Sequence, residues 1–256
     1  MAASVVRISV APVKSLGLVH PDEVELGAGG VAGDRRFWLV DDDGRLMNNK
    51  RNGPLLRIRP DWDETTRRLV LTFPDGDVVD GVVELGAPVA AEMYGEPLPS
   101  RRVPGPWEGA LSQYVGEQVH LLWADDGAVD RGGSGGSVSL VSRASLDRLR
   151  EEAGVDQAID GRRFRMLFEI DGVGAHEEDG WLGAHVQVGD AVILLNGDVG
   201  RCVTTTLDPD TGVSDLDTLR TLARYRREGR EGLPFGVYGS VVAGRRVRVG
   251  DDVHLT

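Results

Sequence analysis

The chain has one cysteine in 256 residues. That scarcity excludes an intramolecular disulfide and a multi-cysteine zinc cage, and it argues against a disulfide-stapled secreted protein. A reducing cytoplasm is the expected compartment. Long apolar runs are missing too. No segment approaches the ~20 apolar residues that span a bilayer, and Met1-Ala2-Ala3-Ser4-Val5-Val6-Arg7 lacks the basic stretch and apolar run of a signal peptide. No membrane association is expected. Positive charge is in deficit, 29 Lys and Arg against 41 Asp and Glu, for a net charge of −12. A phosphate backbone needs a basic surface, so no nucleic-acid partner is expected. The five histidines are scattered, with no His-x-x-x-His pair. No Gly-Lys-Ser/Thr element of a P-loop occurs, and Gly-x-Ser-x-Gly lacks a strand-turn-helix setting.

What is present is a β-rich pattern punctuated by Gly, Pro and Asp. Val5 to Val10 alternates with Arg7 and Ser9 on one face, the period of a strand. Phe37 to Val40 is a second strand, ended by Asp41-Asp42-Asp43-Gly44. Arg68 to Phe73 and Val78 to Leu85 flank Pro74-Asp75-Gly76 and read as a hairpin. Short strands with such turns point to a barrel or rolled sheet. Further on, Trp107 to Val115 reads as a short helix, and Val119 to Trp123 and Ser137 to Val141 as strands. Ser142 is placed to cap a helix that buries Leu146 and Leu149. Strands are expected over Arg165 to Ile170, Ala184 to Val188 and Ala191 to Leu195, a helix over Leu216 to Glu228, and two strands within Val241 to Leu255. Residues 125 to 136 read as a polar loop, with Ser134 a linker residue rather than a nucleophile.

Chemistry concentrates at the lone thiol. Cys202 follows Arg201, precedes Thr204, Thr205 and Thr206, and leads into Asp208-Pro209-Asp210-Thr211-Gly212. A thiolate is a soft metal ligand or a nucleophile; a free cysteine is also commonly a small buried hydrophobe. The Asp-Pro-Asp-Thr-Gly run suits a tight turn, which accounts for its residues without a ligand. Lys14 and Ser15 after the first strand can hold a phosphate by charge and hydrogen bond. The arginines come in small clusters at 35–36, 101–102, 162–165 and 201. They form either a basic pocket for one anionic ligand inside an acidic protein or a solvated surface.

Taken in order, Pro12-Val13-Lys14-Ser15, Gly33-Asp34-Arg35-Arg36-Phe37-Trp38-Leu39-Val40, Arg163-Phe164-Arg165, Arg201-Cys202-Val203-Thr204-Thr205 with Asp208 to Gly212, Pro234-Phe235-Gly236 with Tyr238, and Val249 to Val253 resemble the MOSC superfamily, in particular the branch of the amidoxime-reducing component. The resemblance spans nearly the whole chain. It implies a mainly β fold with some α: an N-terminal β-barrel-like domain over residues 1–105 packed on a MOSC β-barrel with peripheral helices over residues 106–256. It also implies a molybdenum cofactor (Mo-molybdopterin), with Cys202 as catalytic metal ligand and Lys14, Ser15, Arg36, Arg165 and Arg201 near the pterin and its phosphate. Two positions depart from the family pattern: Met166-Leu167 stands where relatives often place Pro and Asn, and Gly200 where they place Ser.

The activity implied is reduction of small N-oxygenated substrates, amidoximes or hydroxylamines. Electrons would come from a separate donor protein, since no cysteine-rich ferredoxin segment is present. Two alternatives stand beside it. Cys202 could carry sulfur as a persulfide, in a sulfur or cofactor carrier. Or the barrel could persist as a metal-free binding protein, the reading that Met166-Leu167 favours.

Overall fold

The computed structural model describes residues 3–129, 136–226 and 232–256. Among these the chain is mostly strand, with three α-helices, α1 (Trp107–Val115), α2 (Arg143–Ala153) and α3 (Thr218–Tyr225). Seven strands close into a barrel in the order Ala3–Ile8, Phe168–Asp171, Val138–Ser142, Pro234–Ala243, Ala191–Gly200, His185–Val188 and Asp252–Leu255. Closure removes the open edges that would otherwise offer unpaired backbone groups. Every ladder of the barrel is antiparallel except Val138–Ser142 against Phe168–Asp171. A parallel pair needs a crossover, and α2 lies within it. Ser142 starts that helix, its Oγ accepting from the Ser145 N–H at 3.1 Å, and Leu146 and Leu149 are buried. The barrel interior is filled by Val5, Ile8, Leu140, Phe168, Ile193 and Val237.

The N-terminal half builds its own core between two sheets. One has five strands in the order Leu46–Met47, Phe37–Asp41, Val119–Ala124, Ser100–Arg102 and Pro88–Val89. The other is the meander Arg59–Asp63, Arg68–Thr72, Val78–Val82, in which Arg68 faces Val82 and Thr72 faces Val78, the hairpin expected around Pro74-Asp75-Gly76. Phe37, Leu39, Leu69, Leu71, Trp107 and Leu121 meet between them. Trp107 is fully buried and satisfies its indole N–H on the Leu69 carbonyl at 3.0 Å.

Helix α1 and the strand Val119–Ala124 join the N-terminal core, while the first strand, Ala3–Ile8, is lent to the barrel of the C-terminal half. Residues 165–170 are not one strand. Gly161–Phe164 is a 3-10 turn, Arg165 ends it in the left-handed region (φ 53°), and extended pairing begins at Phe168. Helix α3 begins at Thr218, two residues later than expected, because Asp217 caps it by accepting from the Arg220 N–H. It is described only to Arg226, and the expected continuation over 227–228 lies outside the described residues, as do residues 130–135 of the expected polar loop.

Candidate functional site

Where the two halves meet, a cavity of about 380 Å³ opens beside Cys202. It is lined by three short backbone devices. The first is the turn after the first strand. Lys14 donates its N–H to the Phe37 carbonyl at 2.7 Å, and Ser15 takes a left-handed φ of 75°, which places both residues in the wall although each is nearly buried. The second is the 3-10 turn Gly161–Phe164 with Arg165 and Met166 behind it. The third is the end of the long strand Ala191–Gly200, which runs through Arg201 to Cys202.

Cys202 is exposed at the start of the 3-10 turn Val203–Thr206. The threonines after it fix that turn. Thr205 donates both its N–H and its hydroxyl to the Cys202 carbonyl, at 3.1 and 3.0 Å, and Thr206 donates its hydroxyl to the Val203 carbonyl at 2.7 Å. Thr204 reaches the other half, donating to Asn49 Oδ1 at 3.1 Å. The thiol is thus held at the cavity by a rigid backbone, and the reading of Cys202 as a buried hydrophobe is excluded by its exposure. The Asp208–Gly212 run is a turn. Asp208 Oδ1 accepts from the Asp210 and Thr211 N–H groups at 3.1 and 2.8 Å, and Asp210 forms a two-pronged pair with Arg162 at 2.8 and 2.7 Å. That pairing holds the Asp210 carboxyl below the usual carboxylate range.

The charge around the thiol is one-sided. Lys14, Arg35, Lys50, Arg163, Arg165 and Arg201 line the cavity, and no Asp or Glu does so among the described residues. Lys14 and Lys50 are the only lysines of the chain, and each holds its ammonium 5.5 Å from the ring of Tyr94, which also lines the cavity. Arg35 is buried. It donates to Asp34 at 2.7 Å and to the Arg165 carbonyl at 3.1 Å, so it pins the 3-10 turn to the N-terminal half. Arg201 braces the opposite wall, donating to the Phe235 carbonyl at 2.8 Å, the Phe164 carbonyl at 2.9 Å and Met166 Sδ at 2.8 Å. Asn48 and Asn49 add neutral amides.

Of the residues expected at this site, Cys202, Lys14, Ser15, Arg165 and Arg201 share the cavity. Arg36 is not among them. Its guanidinium lies 4.2 Å from the ring of Trp123 and borders a separate hollow, and it is Arg35 that faces the cavity. Asn48, Asn49, Lys50 and Tyr94 were not expected there. Only the pairing of a rare lysine with Asn48 and Asn49 signals them in sequence, and nothing local marks Tyr94.

The donor set fits an anionic organic group that carries a metal. No group of three or more His, Cys, Asp or Glu able to hold a metal ion exists among the described residues. A metal beside Cys202 would therefore bring most of its ligands on an organic cofactor. Thiolates bind soft metals, and guanidinium forks, ammonium groups and amides bind phosphate and pterin edges.

Two family models and several named relatives match this chain. The family model of the MOSC domain matches residues 129–254, and that of the MOSC N-terminal beta barrel domain matches residues 2–94. The mouse protein named mitochondrial amidoxime-reducing component 1 is 36% identical over 45% of this chain and 35% of its own length. The Anopheles gambiae protein named molybdenum cofactor sulfurase is 28% identical over 92% of this chain and 34% of its own. The chain thus spans about a third of the length of these relatives. Among solved structures, the YUAD protein from Bacillus subtilis is 12% identical, covering 99% of this chain and 94% of that chain with a TM-score of 0.49, too loose a likeness to add to the sequence matches. No helix among the described residues is long and apolar enough to cross a membrane.

Proposed function

We propose, for a chain that belongs to the MOSC family in both its halves, that it is a molybdenum-cofactor oxidoreductase that removes oxygen from small N-hydroxylated substrates such as amidoximes and hydroxylamines. The observation that carries the reading is the acid-free cationic cavity beside an exposed, backbone-locked Cys202, in a protein of net charge −12. A cavity lined by cations and neutral groups concentrates an anion. Relatives named for amidoxime reduction and for the molybdenum cofactor agree with it.

Cys202 would be the protein's ligand to molybdenum, and Lys14, Ser15, Lys50 and the two asparagines would receive the anionic parts of the pterin. When bound, the cofactor supplies two-electron oxygen-transfer chemistry. The overall reaction takes two electrons and two protons, breaks the N–O bond, and releases water. Arg201 positions Cys202 by bracing the strand end on Phe164 and Phe235, and Arg35 holds the facing turn. The electrons would come from a separate donor protein in a cytoplasmic setting.

Molybdenum analysis of protein purified from a cofactor-competent host, with benzamidoxime reduction by an artificial donor, tests the proposal. Near one molybdenum per chain and turnover lost in Cys202→Ser are expected. Metal far below one per chain, with no reduction, overturns it. The exposure of Cys202 and the breadth of the sulfurase match favour a second reading, a persulfide carrier. An added sulfur atom on Cys202 in the intact mass would select it.

A further inference from the structure

A second hollow of about 290 Å³ adjoins the Cys202 cavity, and the two have Arg163, Arg165 and Thr204 in common among their lining residues. Its apolar lining comes from Leu18, Leu56 and Pro74 of the N-terminal half and Leu207 and Pro209 of the C-terminal half, and five arginines share the lining with them. Two of those arginines come from one segment. Arg57 closes a 3-10 turn and Arg59 opens a strand, with the fully buried Ile58 between them. A buried residue flanked by two exposed ones turns both arginines to the outside, where both line the hollow. No carboxylate pairs with either among the described residues, whereas Arg162 and Arg163 are already held by Asp210 and Asp215. The hollow therefore offers apolar side chains, two guanidiniums without a carboxylate partner among the described residues, and three lining residues in common with the thiol site.

We propose that this chamber seats the organic body of the substrate, and that the preferred substrates carry a carboxylate, held by Arg57 and Arg59 while the N-hydroxyl end reaches the Cys202 cavity. The inference rests on the reductase reading and narrows it to anionic, part-apolar N-hydroxylated compounds. An apolar pocket with a few convergent polar groups is the usual form of a small-molecule site, and a guanidinium fork is the group that best grips a carboxylate. Asp210, the one acid in the lining among the described residues, is paired with Arg162, which leaves Arg57 and Arg59 unneutralised.

The test compares 4-carboxybenzamidoxime with benzamidoxime on the molybdenum-loaded full chain, in wild type, Arg57→Gln/Arg59→Gln and Arg57→Lys/Arg59→Lys. The glutamine pair is expected to raise the KM of the carboxylated substrate about tenfold relative to that of the neutral one, the loss of a charge-assisted hydrogen bond, with kcat little changed and the lysine pair retaining most of the preference. Equal shifts for both substrates overturn the inference. A second readout stands apart from turnover: calorimetric titration of the same proteins with 4-carboxybenzamide, which has no N–O bond. Weaker binding in the glutamine pair supports the chamber even where no variant reduces anything, an outcome that would sink the reductase reading alone. Binding that is undetectable, or unaffected by the glutamine pair, overturns the chamber even in an active reductase.

Discussion

Gly53 and Gly212 meet backbone to backbone across the seam between the two halves, so closely that a Cβ on either would collide with the main chain of the other. Gly212 ends the Asp208–Gly212 turn with a φ of 71°, and Gly53 opens the 3-10 turn that leads to Arg57. Together with the Thr204–Asn49 hydrogen bond, this contact fixes the loop that carries Cys202 against the half that supplies Lys14 and Lys50.

Gly212→Ala is therefore expected to cost about 2 kcal/mol or more, since it adds both a left-handed strain and a backbone clash. For a chain of this size that is a fall in Tm of roughly 5 °C. Thermal unfolding reads it, and an unchanged midpoint would show that the seam is looser than the contact implies.

Thr204→Val removes the cross-seam hydrogen bond while keeping the shape of the side chain. A loss of about 1 kcal/mol is expected, with lower molybdenum content per chain because the thiol loop is less firmly set. Cys202→Ser, compared with wild type as cofactor-free proteins, should leave the unfolding free energy within about 0.5 kcal/mol, as surface changes do, so the two variants separate stability from metal retention.

Arg35→Ala and Arg36→Ala should part ways. Arg35 is buried and holds the Arg165 carbonyl, whereas Arg36 stacks on Trp123 away from the cavity. Cofactor content is expected to fall in the first and to stay near wild type in the second. Equal losses in both, measured as molybdenum per chain at matched purity, would contradict this placement.

The two lysines give a chemical probe, because both line one cavity. Lys50 is exposed and Lys14 is nearly buried. Amine acylation followed by peptide mass spectrometry should modify Lys50 well before Lys14. Cofactor loading should slow the reaction at Lys50, and a rate indifferent to loading would place the anion elsewhere.

Glu178 gives a pH-dependent outcome away from the site. It is fully buried, with Oε1 accepting from the Ser142 N–H at 3.1 Å and the Ser145 hydroxyl at 2.8 Å, and Oε2 without a partner. Burial pushes its carboxyl above the usual range. The folded state then binds the proton more tightly than the unfolded chain does. The stabilisation is complete below the unfolded value and is lost as pH rises through the folded one. Glu178→Gln should raise Tm at pH 8 by about 2–4 °C, the equivalent of roughly 1 kcal/mol, and the gain should vanish near about pH 4. A gain of the same size at both pH values would rule out the ionisation.

Much of the secondary structure was legible because its signals are local. The span of α1, the Ser142 cap, the hairpin around Pro74-Asp75-Gly76 and the turn at Asp208–Gly212 each follow from a few adjacent residues. The strand expected over Arg165 to Ile170 starts three residues late, at Phe168, because Arg165 closes the 3-10 turn Gly161–Phe164 in the left-handed region. The side chain that starts that turn, Asp160 accepting from the Arg162 N–H at 2.8 Å, lies five residues before the expected strand. How the two halves exchange strands was not legible for a different reason. Pairing between Ala3–Ile8 and Phe168–Asp171 joins residues 160 or more positions apart, and no local pattern carries such a pairing.

By itself the sequence determined that one thiol, a set of arginines and an acidic background had to be reconciled, and its ordered motifs were enough to place the chain in its family. Only the tertiary structure decided which of two adjacent arginines faces the thiol. Gly33 and Arg35 both take positive φ, so the two-residue alternation that would assign inward and outward faces is broken there. Tertiary packing alone brought Lys14, Lys50 and Tyr94 to one wall, because a cavity between two halves is made by the fit of distant surfaces and leaves no periodic trace in either.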